Sequence, residues 1–174
     1  MLGALGGREG RVLCVGNSLS YWNEGLHVHL ARLGARTAHF YQGGASLSSL
    51  WREGGREKLS EEGWAAVVLQ EDLPETSERA FLQAAGSWIP AVRATGGTPL
   101  LVAAWAYPRL PCSLEQISSA HQQASLAHSV AVAPVGTAFA VAEQMARQSG
   151  DVGALCLLCP DMEHPSIQGS YLQA

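Results

Sequence analysis

Two short motifs at opposite ends of the chain carry its most visible chemistry. Gly16-Asn17-Ser18-Leu19 follows the apolar run Val12-Leu13-Cys14-Val15, and Asp161-Met162-Glu163-His164-Pro165 lies near the other end. Together they supply a hydroxyl, an imidazole and a carboxylate, the set that acyl transfer through a serine requires. A serine hydroxyl is a weak nucleophile until a neighbouring base takes its proton, and His164 is the candidate base because imidazole changes protonation near neutral pH. Asp161 stands three residues before His164, so one tight turn can present both, with the carboxylate orienting the ring and stabilising its cation. Ser18 precedes His164 by 146 residues, so only a fold can unite them. Taken alone, Ser18 reads first as a helix cap. The two roles are compatible, since a helix amino end also offers N–H groups to a developing oxyanion.

The elements that must position these groups follow from hydrophobic patterning. Strands are expected over residues 11–15, 37–42, 65–70, 99–105 and 130–135. Between them lie helical stripes: Trp22, Leu26, Leu30 and Leu33, stopped by Gly34; Phe81, Ala84, Ala85, Trp88 and Val92, with Pro90 expected to kink or break the helix; Leu114, Ile117, His121, Ala124 and His128; and Ala138, Val141, Ala142 and Met145, ending near Gly150. Five strands alternating with helices imply an α/β architecture, a mainly parallel sheet covered on both faces. Sites in such folds lie beyond the carboxyl ends of the strands. Ser18, Gly43-Gly44, Gln70 and Trp105 all fall there.

Composition narrows the function classes. At 174 residues, 47% hydrophobic and 15% charged, the chain is long enough for one domain with its own core, taken as residues 1–174. The net charge is −4 and Lys58 is the only lysine, so no basic cluster exists to neutralise nucleic-acid phosphates. No apolar stretch reaches the roughly 18 residues of a membrane span. Residues 1–7 are too short and glycine-rich for a signal peptide, which makes a cytoplasmic location the default expectation. Cys156 and Cys159 have CxxC spacing with apolar flanks and read as ordinary buried thiols; the competing reading is a metal site completed by His164. His27, His29, His39, His121 and His128 read as surface or packing residues. Glu71 and Asp72 read as a solvated loop, and Trp105 and Tyr107 as core packing or as a wall for a sugar or acyl group.

On these motifs the chain resembles the SGNH hydrolases, the GDSL-like lipase and esterase superfamily. The usual Gly-Asp-Ser-Leu block stands as Gly16 to Leu19, and the closing Asp-x-x-His-Pro block as Asp161 to Pro165. The branch it is most similar to has Gly-Asn-Ser in block one, with Gly-Gly-Ala-Ser-Leu and Val-Val-Leu-Gln-Glu between, here Gly43 to Leu47 and Val67 to Glu71. Each block is short, but four occur in the expected order along nearly the whole chain. The resemblance implies a flavodoxin-like three-layer α/β/α sandwich with a five-stranded sheet. It implies Ser18 as nucleophile with Asp161 and His164, and an oxyanion hole from the N–H of Ser18, a glycine N–H and an asparagine amide. Gly44 is the chosen glycine, with Gly43 beside it in support, though both also read as a tight turn. No Gly-x-Asn-Asp follows the third strand; Gln70 is the nearest amide and the substitute donor, and reads equally as a polar strand end. Asn17 replaces the usual aspartate, removes a charge beside the nucleophile and can still hold the turn.

The function implied is a serine esterase acting on an O-acyl ester of a small molecule or carbohydrate, an acetylated carbohydrate by superfamily analogy, with no metal and no organic cofactor. The alternative is a ligand-binding module that kept the fold and lost turnover. It is motivated by the absent block-three asparagine and by a chain that stops ten residues past His164, which implies a short last helix or one lacking its end.

Overall fold

Arg11–Gly16 (β1), Thr37–Tyr41 (β2), Trp64–Gln70 (β3), Thr98–Val102 (β4) and Ala131–Ala133 (β5) form one parallel sheet in the order β2-β1-β3-β4-β5. The structure is a computed structural model describing residues 10–61, 63–150 and 155–174. Residues 1–7, read above for a signal peptide, lie outside the described residues, as does Ala154 beside the CxxC pair. The described helices are Ser18–Tyr21 (α1), Gly25–Arg32 (α2), Leu47–Leu50 (α3), Arg56–Leu59 (α4), Glu78–Ala94 (α5), Leu114–His128 (α6), Val135–Ser149 (α7) and Ile167–Gln173 (α8).

Strand alternation divides the apolar side chains between two cores, one on each face of the sheet. Leu13, Val15, Val67, Leu69 and Leu101 face a core closed by α3, α5 and α6 through Leu47, Leu50, Phe81, Trp88, Ile89 and Ile117. Cys14, Val68 and Val102 face the other, closed by Leu19, Leu26, Val135, Phe139 and Leu157. This is the expected α/β/α sandwich with a parallel five-stranded sheet. The strand order reverses at β1: β2 is added on one side and β3 on the other, in register at Cys14, which faces His39 and Val68. A crevice at that reversal is where open α/β sheets hold their ligands.

Serine side chains start four of the described helices by accepting an N–H of the first turn. Ser77 accepts from Ala80, and Ser113 forms a reciprocal capping box with Gln116. Ser46 and Ser166 do the same for α3 and α8, and Gly150 ends α7 in the left-handed conformation.

Four expectations need correction. The stripe from Trp22 to Leu33 is not one helix: α1 stops at Tyr21, and Asn23 and Glu24 turn the chain with φ of 48° and 74° before α2 begins. Pro90 does not break α5, which runs unbroken from Glu78 to Ala94. Pro90 and Gly86, four residues earlier, lie on the solvent side, where water can satisfy the carbonyl that proline leaves unbonded. β4 and β5 are shorter than the apolar runs, since residues 103–106 leave the sheet and Val135 already begins α7. Residues 47–59, to which no element was given, form α3, an irregular turn at Trp51–Gly55, and α4. Among the described residues no helix is long and apolar enough to cross a membrane.

The short α8 packs tightly on the segment leading to the Asp161–His164 turn. A Cβ at Gly169 would overlap the Leu157 carbonyl oxygen and press on the Phe139 ring. Gly169→Ala is therefore expected to lower Tm by about 3–10 °C, the scale of a 1–3 kcal/mol overpacking cost in a chain of this length. An unchanged melting curve would show that α8 is not seated this way.

Candidate active site

The nucleophile turn is built where β1 leaves the sheet. Asn17, fully buried, caps α1: its Oδ1 accepts the Leu19 N–H at 3.1 Å, and its Nδ2 donates to the Ala45 carbonyl at 3.2 Å. The second bond ties the turn to the loop that carries Gly43 and Gly44 after β2. Gln70 braces it from β3, with Oε1 accepting from Ser20 Oγ at 2.8 Å and from the Asn17 N–H at 3.4 Å. Ser18, the first residue of α1, is thereby held by its neighbours on both sides.

The facing segment is a tight loop closed on itself. The Cys159 N–H donates to the His164 carbonyl at 2.8 Å, the Ser166 N–H donates to Leu157 at 2.9 Å, and Leu158 pairs antiparallel with Pro165. Met162 turns the chain with a φ of 57°. Inside the loop, Asp161 Oδ1 accepts the N–H groups of Glu163 and His164, each at 3.0 Å. Its Oδ2 lies 2.9 Å from His164 Nδ1, and His164 Nε2 lies 2.9 Å from Ser18 Oγ. The structure thus brings Ser18, His164 and Asp161 into one hydrogen-bonded line across 146 residues. With a proton on Nδ1 donated to Asp161, Nε2 is free to accept the Ser18 hydroxyl proton, which is the arrangement an activated serine needs. The Glu163 backbone N–H, followed by the bonds from His164, holds the Asp161 carboxyl below the usual aspartate range, so it stays anionic beside the imidazole.

Anchors from the connection after β4 and from the turn after α1 fix this loop, roles that the sequence did not reveal. Trp105 is buried, stacks on Phe139 with centroids 4.5 Å apart, and donates its indole N–H to the Glu163 carbonyl at 2.9 Å. Arg109 grips the Glu163 carboxylate through Nε at 2.8 Å and also bonds Glu75 on the β3–α5 loop. Asn23 Nδ2 donates to the Pro165 carbonyl at 2.6 Å. The one available signal was the crowding of polar and aromatic residues after each strand, and it names no pairings.

Among the oxyanion candidates, Gly44 adopts φ +66° with open space beside its Cα, while Gly43 sits against the Tyr21 hydroxyl. Gln70 is 1% exposed; its oxygen is committed beneath the nucleophile turn and its Nε2 is enclosed without a partner. In this arrangement Gln70 braces Ser18, and its amide reaches an oxyanion only if the side chain turns over.

Glu71 and Asp72, expected in a solvated loop, are instead buried. Glu71 accepts from the Leu47 N–H at 2.9 Å, the Asp72 N–H at 3.1 Å and Thr76 Oγ1 at 3.2 Å, joining the loop after β3 to α3. Asp72 accepts the Tyr107 hydroxyl at 2.8 Å. Burial raises both carboxyls, Glu71 to about 7. The thiols also depart from expectation, since Cys156 is exposed and Cys159 only half-buried. Cys159 Sγ meets Asn23 Nδ2 at 3.3 Å, and no group of three or more His, Cys, Asp or Glu side chains suited to a metal occurs among the described residues. His121 is buried against Phe81 and His29 against the Asn23 carbonyl, both as packing residues.

Solved structures share this architecture. A protein of Slackia heliotrinireducens assigned to the SGNH hydrolases is 28% identical over 94% of each chain, with a TM-score of 0.76. A protein of the G-D-S-L lipolytic family from Desulfitobacterium hafniense is 13% identical over 94% of this chain and 95% of its own, with a TM-score of 0.70. An acetylxylan esterase from Geobacillus stearothermophilus is 13% identical over 95% of this chain and 91% of its own, with a TM-score of 0.68. No protein-family model matches the chain, and no curated protein matches its sequence.

The buried Glu71 makes stability depend on pH in a defined direction. Between its ordinary value of 4.5 and about 7, the folded protein keeps a proton that the unfolded chain releases. Stability from this group therefore falls as pH rises through that window, by about 1–3 kcal/mol. Burial lowers His27 and His121, which act with the opposite sign but are common to both proteins compared. Thermal melts at pH 5 and pH 7.5 should show a larger fall for wild type than for Glu71→Gln, which cannot ionise. Equal pH slopes would refute the assignment.

Proposed function

We propose that the chain is a serine esterase of the SGNH hydrolase superfamily, using Ser18, His164 and Asp161 on an O-acyl ester. The single observation that carries the reading is His164, which spans Ser18 Oγ and Asp161 Oδ2 with 2.9 Å contacts on its two nitrogens. Ser18 Oγ attacks the ester carbonyl as its proton passes to His164 Nε2. The new imidazolium is stabilised by Asp161, which keeps its charge throughout. The N–H groups of Ser18 and Gly44 receive the developing oxyanion, with Gly43 and Asn17 shaping the two turns and Gln70 the candidate third donor. Collapse expels the alcohol, protonated by His164. Water then attacks the acyl carbonyl as it gives a proton to the same nitrogen, and His164 returns that proton to Ser18 Oγ as the acid leaves. No metal or organic cofactor takes part in these steps.

An acetylated carbohydrate is the proposed substrate class. The acetylxylan esterase of the same fold supports it by analogy of architecture alone. The second reading, a ligand-binding domain with weak turnover, is favoured by one observation: Gln70 Nε2 is enclosed. An oxyanion donor is worth about 2.7–4 kcal/mol of barrier, so a missing third donor slows acyl transfer without removing the nucleophile.

Ser18→Ala and His164→Ala are each expected to cut turnover of p-nitrophenyl acetate by roughly 10³-fold or more. A fluorophosphonate probe should label wild type at Ser18 and leave Ser18→Ala unlabelled. Near-normal rates in either variant would sink the triad. Labelling of Ser18 without turnover of any acyl-ester panel would favour the binding domain.

A further inference from the structure

The His164 ring has a neighbour that the triad does not account for. The Trp22 indole lies flat on the imidazole, with centroids 4.1 Å apart and planes 23° from parallel. We propose that Trp22 is a positioning residue of this centre, holding the His164 ring on the line between Ser18 and Asp161 and stabilising its cation through the indole face. The proposal rests on the serine-esterase reading above.

Three observations lead there. First, the carboxylate of this triad is open to solvent: the Asp161 side chain is 44% exposed, against 18% for His164. Water competes for a hydrogen bond at such a site, and one bond between neighbours on the same loop holds an imidazole plane weakly. The last torsion of a histidine side chain is broad, so fixing the plane calls for contact on the face of the ring. Trp22 supplies that contact.

Second, the indole stands at the carboxyl end of the nucleophile's own helix, on the residue that caps it. The Trp22 N–H donates to the Ser18 carbonyl at 3.0 Å, and its carbonyl accepts from the Gly25 N–H at 3.1 Å and from Ser170 Oγ at 3.0 Å. One turn of chain therefore carries both the hydroxyl that gives up its proton and the surface that orients the base receiving it. Register between Ser18 and His164 does not depend on the Asp161 loop alone.

Third, the contact discriminates between the two states of the base. An aromatic face attracts a cation and has little preference for neutral imidazole. The attraction grows as the Ser18 proton arrives, so it is stronger in the transition state than in the ground state, the condition for raising kcat rather than lowering KM.

The test compares Trp22→Phe, Trp22→Leu and Trp22→Ala with wild type and Ser18→Ala, using p-nitrophenyl acetate turnover and the rate of fluorophosphonate labelling. Trp22 is 38% exposed, and circular dichroism confirms folding of each variant before kinetics. Trp22→Ala and Trp22→Leu should lower kcat and the labelling rate about tenfold with KM changed by no more than about twofold, and Trp22→Phe should restore most of both. Trp22→Leu matching wild type, or Trp22→Phe no better than Trp22→Leu, would overturn the proposal, as would a loss confined to KM. Should Trp22→Ala fail to fold, the Phe and Leu pair decides the matter. Full activity in Ser18→Ala would instead remove the serine reading beneath it, an outcome visible without any Trp22 variant.

Discussion

The architecture depends on β1 being paired in parallel on both sides and buried on both faces. Its two neighbours come from chain that follows it, β2 on one edge and β3 on the other, so the crossovers diverge at its carboxyl end and leave a crevice there. A chain emerging from such a strand carries backbone groups that neither sheet nor water can satisfy. Asn17 and Gln70 meet that demand: one caps α1 and reaches the Ala45 carbonyl, the other accepts from Asn17 and Ser20. The placement of the half-buried Ser18 hydroxyl is in this sense a by-product of satisfying buried polar groups around it.

The opposite wall is assembled differently. The Asp161–His164 loop lies outside the sheet and borrows its rigidity from anchors with separate origins in the chain. Trp105 follows β4, Arg109 lies further along the same connection, and Asn23 comes from the turn between α1 and α2. Each bond is modest alone, and the Arg109 pairs are exposed and screened. The bond from the buried Trp105 indole is the part that solvent weakens least. Burial of Glu71 and Asp72 belongs to the same economy, because turning the loop after β3 inward costs desolvated carboxyls and gains bonds to the Leu47 N–H and from Tyr107.

The elements whose signals are local were legible in the sequence. The apolar run Val67-Val68-Leu69, the helical stripe from Phe81 to Val92 and the stop at Gly150 each depend on residues close in sequence, and the structure places β3, α5 and α7 there. The misreadings arose where a distant partner decides. Trp22 fits a helical stripe by spacing, yet it leaves the helix because Asn23 turns to bond Pro165 from the far end of the chain. Pro90 looked like a break because its exposure cannot be read from spacing. Glu71 and Asp72 looked solvated because their partners, Leu47 and Tyr107, are remote in sequence.

Composition, periodicity and the two end motifs by themselves determined the α/β class, the parallel sheet and the identity of the serine, histidine and aspartate worth watching. These properties are written in residue type and short spacing, which survive without knowledge of the fold. Tertiary structure decided everything that needs two remote segments at once: the 2.9 Å contact from His164 to Ser18, the withdrawal of Gln70 beneath the turn, and the indole lying on the imidazole. Hydrogen bonds and ring contacts act over a few ångströms in space, and no spacing along the chain encodes a separation of 146 residues closing to that distance.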